Sequence, residues 1–309
     1  MKALSVAPAL AFVGAAVLVA VGAAPAHAAG RNIDPGDSMY TINCDQIYND
    51  WQLLSVAPPT AISTPIGDGD GTSEFGGCAD QAAYDLTDGT SYYVQITFDG
   101  ENVHWALAEI NVATGVSTTI DEFWWENGEF PELVRVDAIA IGSDGAAYAL
   151  GDGTLYSLDL ASAIVDPIDF ECVTAFAFAS HPTTGDFYVV ERGGEVWRFD
   201  DIGSGCELTS LGSLIHADLD LSDSEVTGVF ALQIDGGGTF WIDVQTREGF
   251  TDLWSFTPST LDAPVRSGVF TDDPFYTQTL LIIPGVVALA STGSTATVAP
   301  LLAAAALLL

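Results

Sequence analysis

The chain has 309 residues, with 42 Asp and Glu against 7 Lys and Arg and a formal net charge of −35. Such a charge repels nucleic acid and anionic lipid, which disfavours both as partners and leads us to expect no nucleic acid. A hydrophobic share of 49%, with 10% aromatic residues, excludes a disordered acidic chain. The acidity reads as a solubilising surface, with binding of a cation or cationic ligand as the competing function.

Lys2 is the one basic residue before an apolar run over 3–22, and Ala26, His27 and Ala28 form a small-x-small site. That is the pattern of an export signal over 1–28, cleaved after Ala28 and outside the fold. Cleavage removes Lys2 and takes the charge from −35 to −36. The residues at 36–285 are enough for one repeat domain with a sizeable core.

A fourteen-residue frame recurs without gaps at 53–66 (LLSVAPPTAISTPI), 107–120 (LAEINVATGVSTTI) and 155–168 (LYSLDLASAIVDPI). Blurred copies follow at 196–211 and 253–265. Each copy alternates apolar residues, turns through small residues, and returns as a β-type run. Two further runs precede each copy, as at 136–141 and 146–150, separated by Asp-Gly turns. Four-stranded units at this spacing are propeller blades, with strands A to D running outward from the axis. Small residues in strand A suit the crowded centre, and Tyr156, Trp197 and Trp254 fill the widening wedge.

The first unit has no strand A of its own, while a spare β-run stands at 275–283. The expected fold is all-β, a propeller of five four-stranded blades whose C-terminal strand completes the first. Closure of this kind removes the unpaired edge. A six-bladed or open arrangement is the alternative.

The D–A and B–C connections share one face and read as long, at 67–78, 99–104, 121–135, 212–225 and 245–252. Binding residues concentrate on loops held by a rigid scaffold, so this is the expected working face. Its most unusual stretch holds Trp124, Trp125, Glu126 and Asn127, which combine stacking rings with a carboxylate and an amide. They are the candidate ligand-binding residues for an extracellular glycan or protein, against a reading in which a Trp merely packs the loop down. Asp218, Asp220, Asp223 and Glu225 fall on the same side.

An exported chain with four Cys favours two disulfides, and the sequential pairs are Cys44–Cys78 and Cys172–Cys206. The first pair falls in loops of one face. The second is at odds with a simple face assignment, since Cys172 precedes a strand A and Cys206 follows a C–D turn.

No nucleophile motif, phosphate loop, dinucleotide fingerprint or H-E-x-x-H occurs, so no catalytic residue is assigned. His104, His181 and His216 have no metal spacing, and His181 reads as a turn residue. No metal or other cofactor is expected, with calcium at Asp68, Asp70, Thr72 and Glu74 as the competing reading. That stretch has Thr72 at the fifth loop position, no Gly at the sixth and Ala79 at the twelfth, which fits a solvated acidic linker better. Asp80, Asp85 and Asp137 are the carboxylates in strand A regions, where a glycoside-cleaving enzyme would need a converging pair.

Near the C-terminus Leu289, Ala290, Ser291, Thr292 and Gly293 precede a Ser/Thr spacer and an apolar run at 298–309. This resembles the cell-wall sorting signal of sortase substrates in high-GC Gram-positive bacteria, in its Leu-Ala-x-Thr-Gly form. The resemblance covers the tail at 286–309. It implies cleavage between Thr292 and Gly293, and attachment of Thr292 to the wall peptide, with sortase and that peptide as partners. The family's tails end in basic residues, which this sequence lacks before Leu309, so the natural chain is expected to continue. The sequence thus describes an exported, wall-displayed, monomeric propeller acting as a non-catalytic binding module. A secreted carbohydrate-active enzyme is the alternative, and a purely structural surface protein the third.

Overall fold

The computed structural model describes residues 33–45, 50–67, 77–98, 102–127, 130–214, 216, 219, 221, 228–245, 251–270 and 277–285. The expected export signal, the calcium-like stretch from Asp68 to Glu74, the acidic run of Asp218, Asp220, Asp223 and Glu225, and the expected sorting tail lie outside the described residues. So do the side chains of Cys44 and Cys78.

The strands are β1 (Ser38–Asp45), β2 (Asp50–Ala57), β3 (Ile62–Pro65), β4 (Gly77–Tyr84), β5 (Ser91–Phe98), β6 (Val103–Asn111) and β7 (Val116–Glu122). A small hairpin follows, β8 (Trp124–Asn127) and β9 (Phe130–Leu133). Next come β10 (Ala138–Ile141), β11 (Ala147–Gly151), β12 (Thr154–Leu158), β13 (Val165–Asp169), β14 (Ala177–Ser180), β15 (Phe187–Val190), β16 (Glu195–Phe199) and β17 (Leu208–Ser213). The last are β18 (Gly228–Ile234), β19 (Phe240–Gln245), β20 (Thr251–Phe256), β21 (Val265–Val269) and β22 (Thr277–Ile283). Among the described residues no helix is long and apolar enough to cross a membrane.

They pair into five antiparallel four-stranded sheets, with orders β22-β1-β2-β3, β4-β5-β6-β7, β10-β11-β12-β13, β14-β15-β16-β17 and β18-β19-β20-β21. The protein is a five-bladed β-propeller. The last strand forms the inner strand of the first blade, with Ser38 opposite Ile283 and Thr41 opposite Leu280. The ring therefore closes by pairing the two ends of the domain, as the missing strand A predicts.

The core consists of five apolar layers, each between neighbouring blades. The first residue of every repeated frame lies in one of them: Leu53, Leu107, Leu155, Val196 and Leu253 are buried to 1% exposure or less. In four blades a bulge interrupts the outer pair at this residue, leaving Ile120, Ile168, Leu211 and Ser267 as the extra residue of strand D. A bulge turns that side chain back toward the core. Ile120, Ile168 and Leu211 accordingly pack on the apolar layers, as does Ile66 in the first blade. This explains why the frames at 53–66, 107–120 and 155–168 close on Ile.

A second contact recurs at the rim. The C–D turn of each blade docks against the end of strand D in the preceding blade. Gly67 and Gly115 meet reciprocally in this way, both at positive φ, and a Cβ on either would stand 2.6 and 2.8 Å from the carbonyl oxygens of Thr114 and Ile66. At the fifth-to-first junction Gly268 faces Thr60 and Ala61, and at the fourth-to-fifth Gly212 faces Leu261. At the second-to-third junction Trp124 bridges Ile164.

Between the third and fourth blades the contact is covalent. Cys172 and Cys206 form a disulfide, with Cα atoms 5.4 Å apart. Cys206 N–H also donates to Asp169 Oδ2 at 3.1 Å, and Cys172 N–H to Gly153 O at 2.7 Å. The face assignment that set these cysteines apart neglects strand twist. Over four strands the twist turns the outermost one toward the tangent of the ring, so its two ends reach opposite neighbours.

Candidate binding face

The D–A and B–C connections meet on one face, but only the D–A set is long. The B–C turns run from 152–153 in the third blade to 246–250 in the fifth, while D–A connections reach 123–137 and 214–227. The expectation of long B–C loops is corrected: an antiparallel pair closes with a few residues, whereas a crossover from outer rim to axis must span the blade.

The axis itself is closed by polar side chains. Gln81 on β4 donates through Nε2 to Phe178 O at 3.1 Å and Leu232 O at 2.9 Å, joining the second, fourth and fifth blades. Gln233 Nε2 returns a bond to Ala82 O at 2.7 Å, and Thr279 Oγ1 donates to Ala79 O at 2.6 Å. Inner strands pair only within their own blades, so some of their carbonyls face the axis, and these side chains satisfy them. On the opposite, A–B face a cavity of about 30 Å³ remains, lined by Ile139, Phe178, Ala179 and Ile282 among others. That is the scale of a water molecule, not of a sugar.

On the D–A/B–C side of this plug a row of cations and rings crosses four blades. The Arg135 guanidinium lies 5.6 Å from the Trp105 ring centre and 6.0 Å from that of Phe176. Arg192 lies 5.4 Å from Phe176 and 4.8 Å from Phe230. Guanidinium on ring is worth about 0.5–1 kcal/mol per contact where partly exposed. Beside the row, Val103, His104, Trp105, Leu133, Val134, Arg135 and Asp152 line a cleft of about 300 Å³. His104 Nδ1 lies 2.9 Å from Glu122 Oε1 at its outer end.

Arg135 also anchors the acids. Its Nε donates to Asp137 Oδ1 at 2.7 Å, Nη1 lies 3.6 Å from Asp152 Oδ1, and Asp152 N–H donates to Asp137 Oδ2 at 3.3 Å. Gly151 allows this approach, since a Cβ there would stand 1.9 Å from Arg135 O. Asp80 is buried in the same neighbourhood. Burial pushes its carboxyl up to about 8, Asp137 adds to the rise and Arg135 opposes it. Asp137 is raised as well, by burial first, with the Arg135 charge and hydrogen bond opposing.

Of the strand A carboxylates, Asp80 and Asp137 thus come together. Asp85 instead caps the A–B turn on the other face, accepting from the Thr87 N–H and Oγ1, both at 2.7 Å. His181 serves a turn, its Nδ1 accepting from Thr183 N–H at 3.2 Å. Trp124 and Trp125 lie on the β8–β9 hairpin, against the outer part of the third blade. The Trp124 N–H donates to Ala163 O at 3.4 Å, and the Trp125 ring sits 6.0 Å from Phe170. Glu126 is exposed beside them, and the Asn127 side chain lies outside the described residues.

The axial row joins residues far apart in sequence, so spacing does not announce it. The available signal is scarcity: few arginines among 42 acids, two of them facing the axis.

No family model matches the chain, and no curated protein matches it. Among solved structures it is similar to an auxiliary nutrient-binding protein of Bacteroides thetaiotaomicron VPI-5482, at 14% identity over 77% of this chain and 51% of that one, TM-score 0.40. It is similar also to Kuenenia stuttgartiensis hydrazine synthase, at 12% identity over 64% of this chain and 49% of that one, TM-score 0.36. The chain spans about half the length of both. A third likeness is to a symmetrical protein whose de novo evolutionary emergence is shaped by folding constraints, at 14% identity over 79% and 97% of the two chains, TM-score 0.47. Likeness at this level carries no functional argument, and the fold rests on the sheet order itself.

Proposed function

We propose that the protein is an exported, wall-displayed propeller that binds an extracellular ligand on its D–A/B–C face. The observation that carries this reading is the cleft of about 300 Å³ at Trp105 and Arg135, open beside an axis that Gln81 closes. A ring, a cation and a hydrogen-bonding carboxylate lining one cleft are the elements of a small polar-ligand site. The export pattern at 1–28, the Cys172–Cys206 bond and the sorting motif at Leu289–Gly293 support display outside the cell. A glycan array with the exported chain tests the binding. Trp105→Ala and Arg135→Ala should each lower it at least tenfold, and binding indifferent to both substitutions overturns this placement. Deletion from Leu289 onward should release the protein into the medium, and unchanged wall retention refutes anchoring.

A second reading rests on Asp80 and Asp137, an acid that burial holds protonated beside a carboxyl held by Arg135, since glycoside cleavage uses paired carboxyls. Under it Asp80 donates the proton to the leaving group. Release of reducing ends from a bound glycan, lost in Asp80→Asn with binding retained, is its signature.

A further inference from the structure

Acids outnumber bases six to one in this sequence, 42 against 7, so a carboxylate is available to nearly every cation. Arg135 is held by Asp137 and Asp152, Arg198 by Asp200 and Arg266 by Asp252. Arg192 differs from all of them. Among the described residues its guanidinium has no carboxylate and no hydrogen-bond acceptor, and its buried Nε donates to nothing. It rests instead against the rings of Phe176 and Phe230, whose centres are 5.9 Å apart and lie 5.4 and 4.8 Å from the guanidinium carbon.

The backbone is arranged to keep it there. Arg192 stands in the short turn between β15 and β16, where Arg192 O accepts from Val229 N–H at 3.4 Å. Gly228 opens β18 directly against it, and a Cβ at 228 would lie 3.2 Å from Nε and 3.3 Å from the Arg192 Cβ. Two rings and a bare glycine pack against the guanidinium without neutralising it. Burial already works against its charge, pushing its pKa down. A fixed planar cation with unused donors matches a carboxylate, which guanidinium binds in two parallel hydrogen bonds.

We propose that Arg192 is the anion-recognising residue of a subsite on the D–A/B–C face, and that its ligand is a saccharide carrying one carboxylate. The inference rests on the binding reading above and specifies its ligand class. Across Phe176 from Arg192, Asp137 and Asp152 hold Arg135, and carboxylates there repel a second anion while accepting hydroxyl donors, which suits an acidic sugar better than an acidic peptide. Trp105, at the far end of the row, offers a ring for the apolar face of a neighbouring pyranose.

The test uses the exported chain on oligosaccharides ending in glucuronic, galacturonic or sialic acid, each beside its methyl ester. Peptides with free and amidated C-termini are run in parallel. The expected result is at least a tenfold preference for acid over ester, abolished in Arg192→Met. Methionine keeps an apolar chain against the rings, and thermal unfolding of the variant confirms that it folds. Arg192→Lys should recover part of the preference, since the charge returns without the planar fork. Acid-selective binding that survives in Arg192→Met overturns the assignment while leaving the binding face intact. Equal binding of acid and ester overturns the carboxylate, and binding of free C-termini alone overturns the sugar. No binding of any probe overturns this inference and the binding reading together.

Discussion

Asp37 Oδ1 accepts a hydrogen bond from the Gly285 N–H at 2.6 Å, so the turn before the first strand and the residue beyond the last are pinned to each other. Oδ2 of the same carboxylate accepts from Gly236 N–H at 2.7 Å, which adds the fifth blade to the junction. One side chain therefore ties both ends of the domain to the neighbouring blade, beside the β1–β22 pairing that closes the ring. Asp37→Ala should destabilise the protein by about 1–3 kcal/mol, since it leaves two N–H groups without their acceptor. Asp37→Asn keeps one acceptor and should fall between. Urea midpoints of the three proteins measure this, and equal midpoints show that strand pairing alone holds the ring shut.

The Cys172–Cys206 bond closes a loop of 34 residues across one blade boundary. In the loop-entropy account such a link contributes ~4 kcal/mol by restricting the unfolded chain. Replacing both cysteines with serine should lower stability by up to that amount while leaving β14–β17 paired. Native-state hydrogen exchange reads the distinction: protection should fall first at the boundary of the third and fourth blades. Uniform loss across all five blades contradicts a local staple.

Ser267 stands in the fifth blade where Ile120, Ile168 and Leu211 stand in the second, third and fourth, as the bulged residue of strand D. Its hydroxyl is buried with no hydrogen-bond partner among the described residues, whereas its counterparts pack against the apolar layers. Ser267→Ile restores the repeat, removing an unsatisfied group and burying methyl groups. The expected gain is about 1–2 kcal/mol. A loss of stability shows that the site is too tight for a branched side chain.

These cases also show what sequence makes legible. The frames repeat because the buried leucine and the bulged isoleucine recur in each interblade layer, so blade number, strand order and ring closure follow from local pattern. The start of β14 does not. The alternation at 173–178 reads as strand, yet regular pairing begins only at Ala177. Cys172 just upstream is bonded to Gly153 and Cys206, which holds the approach to the strand against the preceding blade. The axial row is hidden for a related reason. Trp105, Arg135, Phe176, Arg192 and Phe230 meet only because ring closure brings four blades to one mouth. Adjacent tryptophans at 124 and 125 are conspicuous in sequence but sit on the outer hairpin.

Asp80 gives the protein a pH dependence whose sign is opposite to that of an ordinary paired carboxylate. Its carboxyl sits near 8 in the fold because burial, and then the charge of Asp137, oppose ionisation. In the unfolded chain it returns to the ordinary value of 3.8. Below that value it is protonated in both states and costs nothing. Between it and about 8 the unfolded chain ionises while the folded one holds its proton, so stability falls steadily as pH rises. Above about 8 both states are ionised and the cost is constant, on the order of 5 kcal/mol by linkage. Asp80→Asn removes this dependence and keeps the size of the side chain. Unfolding free energies of wild type and variant at pH 4, 6 and 8 isolate the effect, because other titrating groups cancel in the difference. The variant should gain on wild type at each step, by similar amounts from pH 4 to 6 and from pH 6 to 8. A difference that stays constant across the range means that Asp80 ionises in the fold as freely as in water, and that its burial is not felt by the proton.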